Sequence, residues 1–294
     1  MKSGFVALVG RPNVGKSTLI NSIIGKKIAI TSNKPQTTRN NIQGIYNEDD
    51  TQMIFVDTPG IHKPKHKLGD FLNKQAYYSI NDVDIVVMLV DVTMPLGPGD
   101  KHIIETFKTI EKPVILVLNK IDKLKREELL PVIEKYSKLY NFTDIIPLSA
   151  LKKDNLNDLI STLKKHLTDT IKYYPDEQIT NRSTEFLIAE IIREKVFNLT
   201  EEEIPHSITC VVEQVKKDKN KYIINAAIIV DRDSLKKIII GARGQKIKQI
   251  GIMARPELEA LLGEKVFLEL FVKTIKKWRE KEKYLSEFGF SNFE

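Results

Sequence analysis

The chain has 294 residues, of which 46 are Lys or Arg and 39 are Asp or Glu, so its formal net charge is +7. This length fits one large or two ordinary domains, and an apolar fraction of 41% excludes a wholly disordered chain. The single cysteine, Cys210, excludes an intramolecular disulfide and favours a reducing compartment. The sequence has no uncharged apolar run of about 18 residues and no secretory leader pattern, so we expect a soluble cytoplasmic protein.

The first half of the chain alternates short apolar runs with amphipathic segments. Uninterrupted apolar runs predict buried strands, and the helices between them then cover both faces of a parallel sheet. Strands are predicted at residues 5–9, 42–48 (an antiparallel edge strand), 53–56, 85–90, 114–118 and 145–148, and helices at 16–24, 68–80, 101–109, 127–140 and 156–167. The fold class is therefore α/β, with a doubly wound, mostly parallel six-stranded sheet.

The pattern changes near residue 170, where a polar segment with one proline has no clear period. We predict a first domain at 1–170, a linker at 171–180 and a second domain at 181–294. The second domain is a smaller α+β unit with a helix at 185–197, strands at 208–215 and 222–230, a helix at 234–240, a turn at 241–244, a helix at 245–262, a strand at 266–272 and a final helix at 275–285.

A phosphate-binding motif follows the first strand and opens the first helix. Residues 10–17 read Gly-Arg-Pro-Asn-Val-Gly-Lys-Ser and match GxxxxGK[ST]. The glycines let backbone N–H groups converge on phosphate oxygens, and the helix N-terminus adds partial positive charge. The motif predicts a nucleoside triphosphate site in which Lys16 reaches the β- and γ-phosphates and Ser17 binds Mg²⁺. Its predicted residues are Gly10, Arg11, Pro12, Asn13, Val14, Gly15, Lys16, Ser17 and Thr18.

A second motif selects the base. Asn119-Lys120-Ile-Asp122 follows the fifth apolar run, at the edge where such sheets bind ligands. A carboxylate at Asp122 accepts from both N1–H and the 2-amino group of guanine, whereas adenine would leave two acceptors facing each other. Ser149, Ala150 and Leu151 follow the next strand, where a backbone N–H can donate to the guanine O6. The nucleotide is therefore predicted to be GTP.

Two further segments are predicted to sense the γ-phosphate. Asp57-Thr58-Pro59-Gly60 ends the third strand, where Asp57 would hold Mg²⁺ mostly through water and the Gly60 N–H would contact the phosphate. The polar segment Thr31–Asn41 should supply a threonine to the metal, and we favour Thr38 over Thr37. The predicted metal ligands are Ser17, Thr38 and Asp57.

The residue after this motif is Ile61, where many GTPases have a glutamine that orients the attacking water. His62 is either recruited instead or is an exposed loop histidine. We therefore expect slow intrinsic hydrolysis, with the predicted catalytic residues Lys16, Thr38, Gly60 and Asn13.

The second domain contains a basic segment without acids at residues 236–248. Within it, Gly241-Ala242-Arg243-Gly244 is a GxxG turn between two predicted helices, and paired glycines let a nucleic-acid backbone approach closely. Ile247, Ile250 and the strand at 223–229 would border a groove for unstacked bases. The alternatives are a solvated helix face and a glycine-rich helix–helix turn. The predicted RNA-binding residues are Ile240, Gly241, Ala242, Arg243, Gly244, Gln245, Lys246, Ile247 and Lys248.

These motifs resemble the Era family, a group of bacterial P-loop GTPases related to translation factors. The resemblance rests on proline and asparagine inside the P-loop, on Asp57-Thr-Pro-Gly60, on the Pro-Gln-Thr-Thr-Arg39 segment and on the GxxG signature of a type II KH domain, and it covers essentially the whole chain. It implies a monomeric GTPase that binds single-stranded RNA near the 3′ end of small-subunit ribosomal RNA and acts in 30S subunit assembly. In related GTPases an asparagine at the position of Asn13 helps hold K⁺; the alternative is a plain turn residue.

The resemblance also implies peripheral membrane association. Residues 273–285 carry five lysines, one arginine, Trp278 and Tyr284, which suits a helix lying on a membrane surface, although a packed terminal helix is the alternative. Two other functions stay open at this point: a membrane-linked signalling GTPase, and an RNA-binding module with a degenerate nucleotide domain. The intact Lys16, Ser17 and Asp122 argue against the latter.

Overall fold

The structure is a computed structural model and describes residues 1–32, 34, 37–60, 67–201 and 204–290. The chain forms two compact units, one of Met1–Pro64 and Leu72–Asn181, the other of Lys65–Phe71 and Arg182–Glu294. Across these described ranges, no helix is both long enough and apolar enough to cross a bilayer.

The first unit is built on a six-stranded sheet, counted over the described residues, with the order β2-β3-β1-β4-β5-β6. All neighbours run parallel except β2, which pairs antiparallel with β3. The predicted doubly wound α/β class is confirmed. The strands are β1 (Lys2–Val9), β2 (Ile42–Glu48), β3 (Thr51–Asp57), β4 (Ile85–Asp91), β5 (Val114–Asn119) and β6 (Asp144–Leu148).

Helices cover both faces of this sheet. Consecutive residues of β1, from Val6 to Val9, are all buried, as expected for a strand whose two faces are covered. One face packs against apolar residues of α2, α3 and α4, among them Ile80, Ile103 and Tyr136. The helices are α1 (Lys16–Ile24), α2 (Lys67–Asn81), α3 (Pro98–Thr106), α4 (Arg126–Ser137) and α5 (Leu156–His166).

Helix α3 begins three residues before the position predicted from its apolar pattern. Gly97 caps it, the Asp100 carboxylate accepts a hydrogen bond from the Gly97 N–H at 2.9 Å, and Pro98 occupies the first turn. The last predicted turn is a separate 3₁₀ turn, Phe107–Thr109. This start matters for the site because it places Asp100 in the first turn.

The segment predicted as a linker lies along the first unit. Ser3 N donates to Asp169 O at 2.8 Å, Tyr173 N donates to Gln52 Oε1 at 2.8 Å, and Ile45 N donates to Ile179 O at 2.9 Å. These bonds hold residues 169–179 against three strands. The domain bounds drawn from the sequence stay a prediction.

The second unit is a three-stranded sheet, over the residues described there, with the order β7-β8-β9. Strands β7 (Ile208–Asp218) and β8 (Lys221–Val230) are antiparallel, and β9 (Lys265–Thr274) runs parallel to β8. Apolar residues of this sheet form one core with α6 (Thr184–Leu199), α7 (Asp233–Ile240) and α8 (Gln245–Leu262). The predicted order of elements up to β9 is confirmed.

The helix predicted at 275–285 is wrong. Ile275 N donates to Val230 O at 2.9 Å, Lys277 is left-handed with φ 55°, and a 3₁₀ turn precedes the short helix α9 (Glu282–Glu287). Trp278 is 0% exposed and its indole N–H donates to Ser207 O at 3.1 Å. The segment therefore packs onto its own unit, and Trp278 is not available as an interfacial anchor.

Candidate functional site: a phosphate loop, a base-reading edge and a GxxG turn

The parallel strands of the first unit end at one edge of the sheet. The residues that end or follow these strands are Gly10 after β1, Asp57 in β3, Asp91 in β4, Asn119 in β5 and Ser149 after β6. The parallel register aligns them, since Leu8 pairs with Asp57 and Asp91 pairs with Asn119. The sequence motifs predicted for GTP therefore meet at a single edge, where open α/β sheets bind ligands.

Two glycines of the P-loop are required by space as well as by conformation. Gly10 has φ 154°, and a Cβ there would lie 2.5 Å from the Leu89 carbonyl oxygen. Gly15 has φ 104°, and a Cβ would lie 2.2 Å from Asn119 Nδ2. Between them Asn13 is left-handed with φ 66°, which asparagine tolerates. The loop therefore fits closely against β4 and the base-reading motif.

Lys16 lies inside this loop. It is buried, and its Nζ donates to the carbonyl oxygens of Gly10 and Arg11, both at 3.2 Å. Burial lowers the pKa of Lys16 to about 8, while the nearby Asp57 carboxylate raises it. A buried ammonium that binds only neutral carbonyls and lies near one carboxylate is suited to binding phosphate oxygens.

Three oxygen ligands converge beside the P-loop. The Ser17 hydroxyl donates to Asp57 Oδ2 at 2.7 Å, the Thr38 hydroxyl donates to the same oxygen at 3.2 Å, and the two hydroxyl oxygens are 2.9 Å apart. Thr37 instead donates to Lys34 O at 2.7 Å, so Thr38 is the threonine at the cluster. Burial raises the pKa of Asp57, against the opposing effect of Lys16, Ser17 and Thr38.

The other oxygen of Asp57 tests whether a cation fits here. Asp57 Oδ1 is buried, and within the described residues it has no hydrogen-bond partner. A buried carboxylate oxygen without a partner is costly unless a cation or water meets it. The oxygen-only ligand set of Ser17, Thr38 and Asp57 suits Mg²⁺.

The rest of the Asp57–Gly60 motif has two different roles. The Thr58 hydroxyl is buried and donates to Leu8 O at 2.7 Å, so it anchors the loop to β1. A Cβ on Gly60 would lie 2.9 Å from the backbone of Pro12, which places Gly60 against the P-loop. Ile61 and His62 lie outside the described residues.

Asn119 and Lys120 brace the P-loop from the base-reading side. Asn119 Nδ2 donates to Val14 O at 2.8 Å, and its Oδ1 accepts from the Lys120 and Ala150 N–H groups at 2.8 and 3.0 Å. Lys120 Nζ donates to Asn13 O at 2.9 Å. The Ala150 N–H, which the sequence suggested for the guanine O6, therefore already has an acceptor in this arrangement.

Asp122 is held in place by the loop after β6. Ser149 Oγ donates to Asp122 Oδ1 at 2.6 Å, and Ser149 in turn accepts from the Lys152 N–H at 3.2 Å. Leu151, the last predicted residue of this loop, is 70% exposed. The carboxylate predicted to read guanine thus has a fixed orientation.

Sequence reasoning missed two residues that lie at the P-loop. Lys120 Nζ also donates to Asp91 Oδ2 at 2.5 Å, and Arg11 Nη1 donates to Asp100 Oδ2 at 3.1 Å. The only local signal was the position of Asp91 at the end of an apolar strand.

The GxxG turn connects α7 to α8 in the second unit. Gly241 has φ 73°, and a Cβ there would lie 2.8 Å from Lys246 Cβ, whereas Gly244 needs glycine only for its φ of 76°. Arg243 between them is exposed and also left-handed, with φ 50°. Within the part of the chain that the structure describes, no ion pair involves the five basic residues of 236–248, which are Lys236, Lys237, Arg243, Lys246 and Lys248.

The apolar groove beside this turn differs from the predicted one. Ile250 is 0% exposed and belongs to the core, so the prediction that it borders the groove is wrong. Ile247 is half-buried against the core, and Leu270 of β9 is likewise half-buried. One turn after Ile247, Gly251 lacks a side chain, and a Cβ there would lie 3.7 Å from Leu270 Cδ1. Gly251 therefore keeps a gap open between α8 and β9.

Comparison with known proteins agrees with both halves of this description. Residues 5–120 match the family described as 50S ribosome-binding GTPase, and residues 203–279 match the KH domain. A crystal structure of Era in complex with MgGDPNP and nucleotides 1506–1542 of 16S ribosomal RNA is 43% identical to this chain. It covers 99% of this chain and 100% of its own, with a TM-score of 0.96. The chain belongs to the Era family.

A second Era structure gives the same measure of similarity. Aquifex aeolicus Era bound to GDP and AlF₄⁻ is 43% identical, covers 99% of this chain and 100% of its own, and has a TM-score of 0.96. The resemblance inferred from the motifs is thereby confirmed, as is the P-loop GTPase fold followed by a KH domain. The chain is an Era-type GTPase, which excludes the alternative of a degenerate nucleotide domain.

Proposed function

We propose that this chain is a GTP-dependent switch that binds single-stranded RNA near the 3′ end of small-subunit ribosomal RNA and acts in 30S subunit assembly. The observation that carries the proposal is the exposed GxxG turn, whose basic neighbours lack ion-pair partners, in a chain that also has a complete GTP site. Era with 43% identity binds nucleotides 1506–1542 of 16S ribosomal RNA. An uncompensated basic segment beside paired glycines is suited to an RNA backbone.

In the GTP site, we assign the phosphates to the backbone of Gly10–Ser17 and to Lys16, and the guanine to Asp122. Mg²⁺ held by Ser17, Thr38 and Asp57 would neutralise charge on the phosphates. Related support comes from the Era complex with MgGDPNP. Lys16 binds the β- and γ-phosphate oxygens, and the Gly60 N–H contacts the γ-phosphate from the opposite side.

Thr38 links the metal site to the switch. It joins Ser17 and Asp57 through its hydroxyl, so the segment that carries it can be fixed only while this oxygen cluster is complete. Loss of the γ-phosphate would release Thr38 and Gly60 together. Hydrolysis thus resets a conformation, and its rate is slow because no side chain for orienting water has been identified.

We include K⁺ in the proposal, with Asn13 as its protein ligand. Asn13 has a left-handed backbone inside the P-loop, and its carbonyl oxygen is fixed by Lys120. A monovalent cation beside the bridging phosphate oxygen would supply the charge that an arginine finger provides in other GTPases.

On the RNA side, we assign the phosphate contacts to Arg243, Lys246 and Lys248 and the close backbone approach to Gly241 and Gly244. The half-buried residues Ile240, Ile247, Leu268 and Leu270 and the gap at Gly251 would receive unstacked bases.

The proposal includes a cytoplasmic monomer and does not depend on membrane contact. The segment suggested for membranes is split, and Trp278 donates its indole N–H inside its own unit. Lys276, Lys277 and Lys281 are exposed, so they are the residues through which binding to anionic lipid would be detected.

The test replaces Ala242 and Arg243 by Asp in the full chain, which changes the net charge by three units. Single-stranded RNA binding should be lost, because two carboxylates repel the phosphate backbone, while GDP affinity is unchanged. The control, Lys276→Asp with Lys281→Gln, changes the charge equally outside the turn and should keep RNA binding.

Three outcomes distinguish the candidate functions. Loss of RNA binding in the turn variant alone supports the KH assignment. Equal RNA binding by both variants and the parent refutes it. Binding to anionic vesicles that only the control variant loses would instead favour the membrane-linked GTPase.

A further inference from the structure

Two carboxylates outside the nucleotide-binding motifs hold the P-loop in place. Asp91 is the last residue of β4, and Asp100 lies in the first turn of α3. Both belong to one connection of the first unit, and their side chains are only 12% and 3% exposed. Each accepts a hydrogen bond from a cationic side chain that is part of, or bonded to, the P-loop.

Asp100 holds the side chain of Arg11. Its Oδ2 accepts from Arg11 Nη1 at 3.1 Å and from the Gly97 N–H at 2.9 Å. The second bond is part of the cap of α3, so the carboxylate cannot rotate away without loosening the helix start. Arg11 is therefore attached to a rigid element rather than to a mobile loop.

The backbone before and within α3 is shaped for this arginine. A Cβ on Gly97 would lie 3.2 Å from Arg11 Nη1, and a Cβ on Gly99 would lie 3.3 Å from Arg11 Cδ and Cγ. The two glycines thus let the Arg11 side chain lie directly over the start of the helix. At its other end, the carbonyl oxygen of Arg11 accepts from Lys16 Nζ at 3.2 Å, so fixing Arg11 also constrains the surroundings of Lys16.

Asp91 holds the opposite side of the loop through Lys120. Lys120 Nζ donates to Asp91 Oδ2 at 2.5 Å and to Asn13 O at 2.9 Å. Asp91 Oδ1 accepts from the N–H and hydroxyl of Thr93 at 3.0 and 2.6 Å, which fixes the carboxylate. Burial alone would raise the pKa of Asp91, but the hydrogen bonds from Lys120 and Thr93 outweigh it and hold the pKa below its ordinary value.

We propose that Asp91 and Asp100 are positioning residues for the nucleotide, which clamp the P-loop on both sides of Pro12. Asp100 acts through the side chain of Arg11, and Asp91 acts through Lys120 on the carbonyl of Asn13. A loop held in its binding conformation loses less freedom when phosphates bind, so the clamp raises nucleotide affinity. The inference rests on the proposed placement of the phosphates along Gly10–Ser17.

The test measures binding of a fluorescent GDP analogue to the full chain and steady-state GTP hydrolysis. Asp91→Asn and Asp100→Asn should each raise Kd by about tenfold, mainly through faster dissociation, with kcat at saturating GTP within about twofold of the parent. Glu105→Gln is the matched control, since Glu105 is on α3 but pairs with Lys108 at the surface. It should leave Kd unchanged.

A double-mutant cycle tests the pathway through Arg11. If Asp100 acts through this side chain, Arg11→Met combined with Asp100→Asn should bind GDP no more weakly than Arg11→Met alone. Urea unfolding of the ligand-free variants identifies a purely structural role, which would lower stability yet leave Kd and the dissociation rate of the folded protein unchanged. Should Asp100→Asn fail to fold, Arg11→Met tests the same link from the P-loop side, because Arg11 is 33% exposed.

The possible results separate the clamp from the proposed GTP site. Kd within about twofold of the parent in both carboxylate variants would overturn the clamp, and so would a fall in kcat with Kd unchanged. A parent chain that binds no guanine nucleotide would refute the GTP site itself, whatever the variants do.

Discussion

Replacing Arg243 by glycine should strengthen the fold and weaken RNA binding. Arg243 has φ 50° and ψ 29°, and this left-handed conformation costs a residue with a Cβ about 1–2 kcal/mol. Glycine removes that cost but adds freedom to the unfolded chain worth about 0.4–1 kcal/mol. The difference predicts that Arg243→Gly raises the free energy of unfolding of the second unit by about 0.5–1 kcal/mol.

The effect on RNA has the opposite sign. Arg243 is exposed and lies between the two glycines, so in the proposed complex it neutralises one phosphate. Losing one contact to a single strand should reduce the slope of log K against log salt by about 0.7, with a uniform loss of affinity across RNA sequences. A substitution that stabilises the protein while weakening binding cannot act through unfolding.

Both quantities can be measured on one protein. Trp278 is the only tryptophan of the chain and is fully buried in the second unit, so its fluorescence reports urea unfolding of that unit. Fluorescence anisotropy of a labelled single-stranded RNA over about 50–200 mM KCl gives the salt slope. Lys276→Gln, an exposed lysine outside the turn, is the control. An unchanged slope, or a lower stability of Arg243→Gly, would refute the reasoning.

Three further substitutions test the site. Asp122→Asn keeps the oxygen that accepts from Ser149 but reverses the base contact, so GTP should bind at least about tenfold more weakly while xanthosine triphosphate binds better; unchanged GTP affinity would exclude base reading by Asp122. K⁺ should speed GTP hydrolysis relative to Na⁺, and both Asn13→Ala and Asn13→Gly, the latter free of backbone strain, should abolish the difference; equal rates for the parent contradict a K⁺ site. Gly251→Ala should stabilise α8 by up to about 1 kcal/mol yet weaken RNA binding, because its Cβ fits 3.7 Å from Leu270 but fills the gap; unaltered RNA affinity would place the bases elsewhere.

Much of the secondary structure could be predicted because it is specified locally. Helices α1 and α8 have the bounds that the sequence predicted, and each is flanked by glycines at both ends: Gly15 and Gly25, and Gly244 and Gly263. All four glycines have φ between 73° and 104°, a conformation that other residues rarely adopt. The buried strands were equally clear, because a run of apolar residues without charge has no stable place on a protein surface.

The errors occurred where distant partners override the local pattern. The spacing of lysines, Trp278 and Tyr284 resembles an amphipathic helix, but Val230 captures the N–H of Ile275 and Ser207 captures the indole of Trp278. In the same way, Ile250 and Ile247 are indistinguishable in sequence, yet packing of α8 against the sheet buries the first and leaves the second half-exposed. A hydrogen bond that completes a buried polar group outweighs helix propensity, which is a few tenths of a kcal/mol per residue.

The sequence by itself determined which chemical groups reach the nucleotide, because glycines, Lys16 and Asp122 act at fixed offsets within short motifs. Only the tertiary structure decided how those groups are held. Asp91 lies beside Lys120 because β4 and β5 pair in the register that sets Asp91 opposite Asn119, and Asp100 meets Arg11 because β1 and β4 are neighbours in the sheet. Strand order and register are properties of the whole unit, since each one-residue shift would turn every buried side chain to the other face, and no local pattern contains that information.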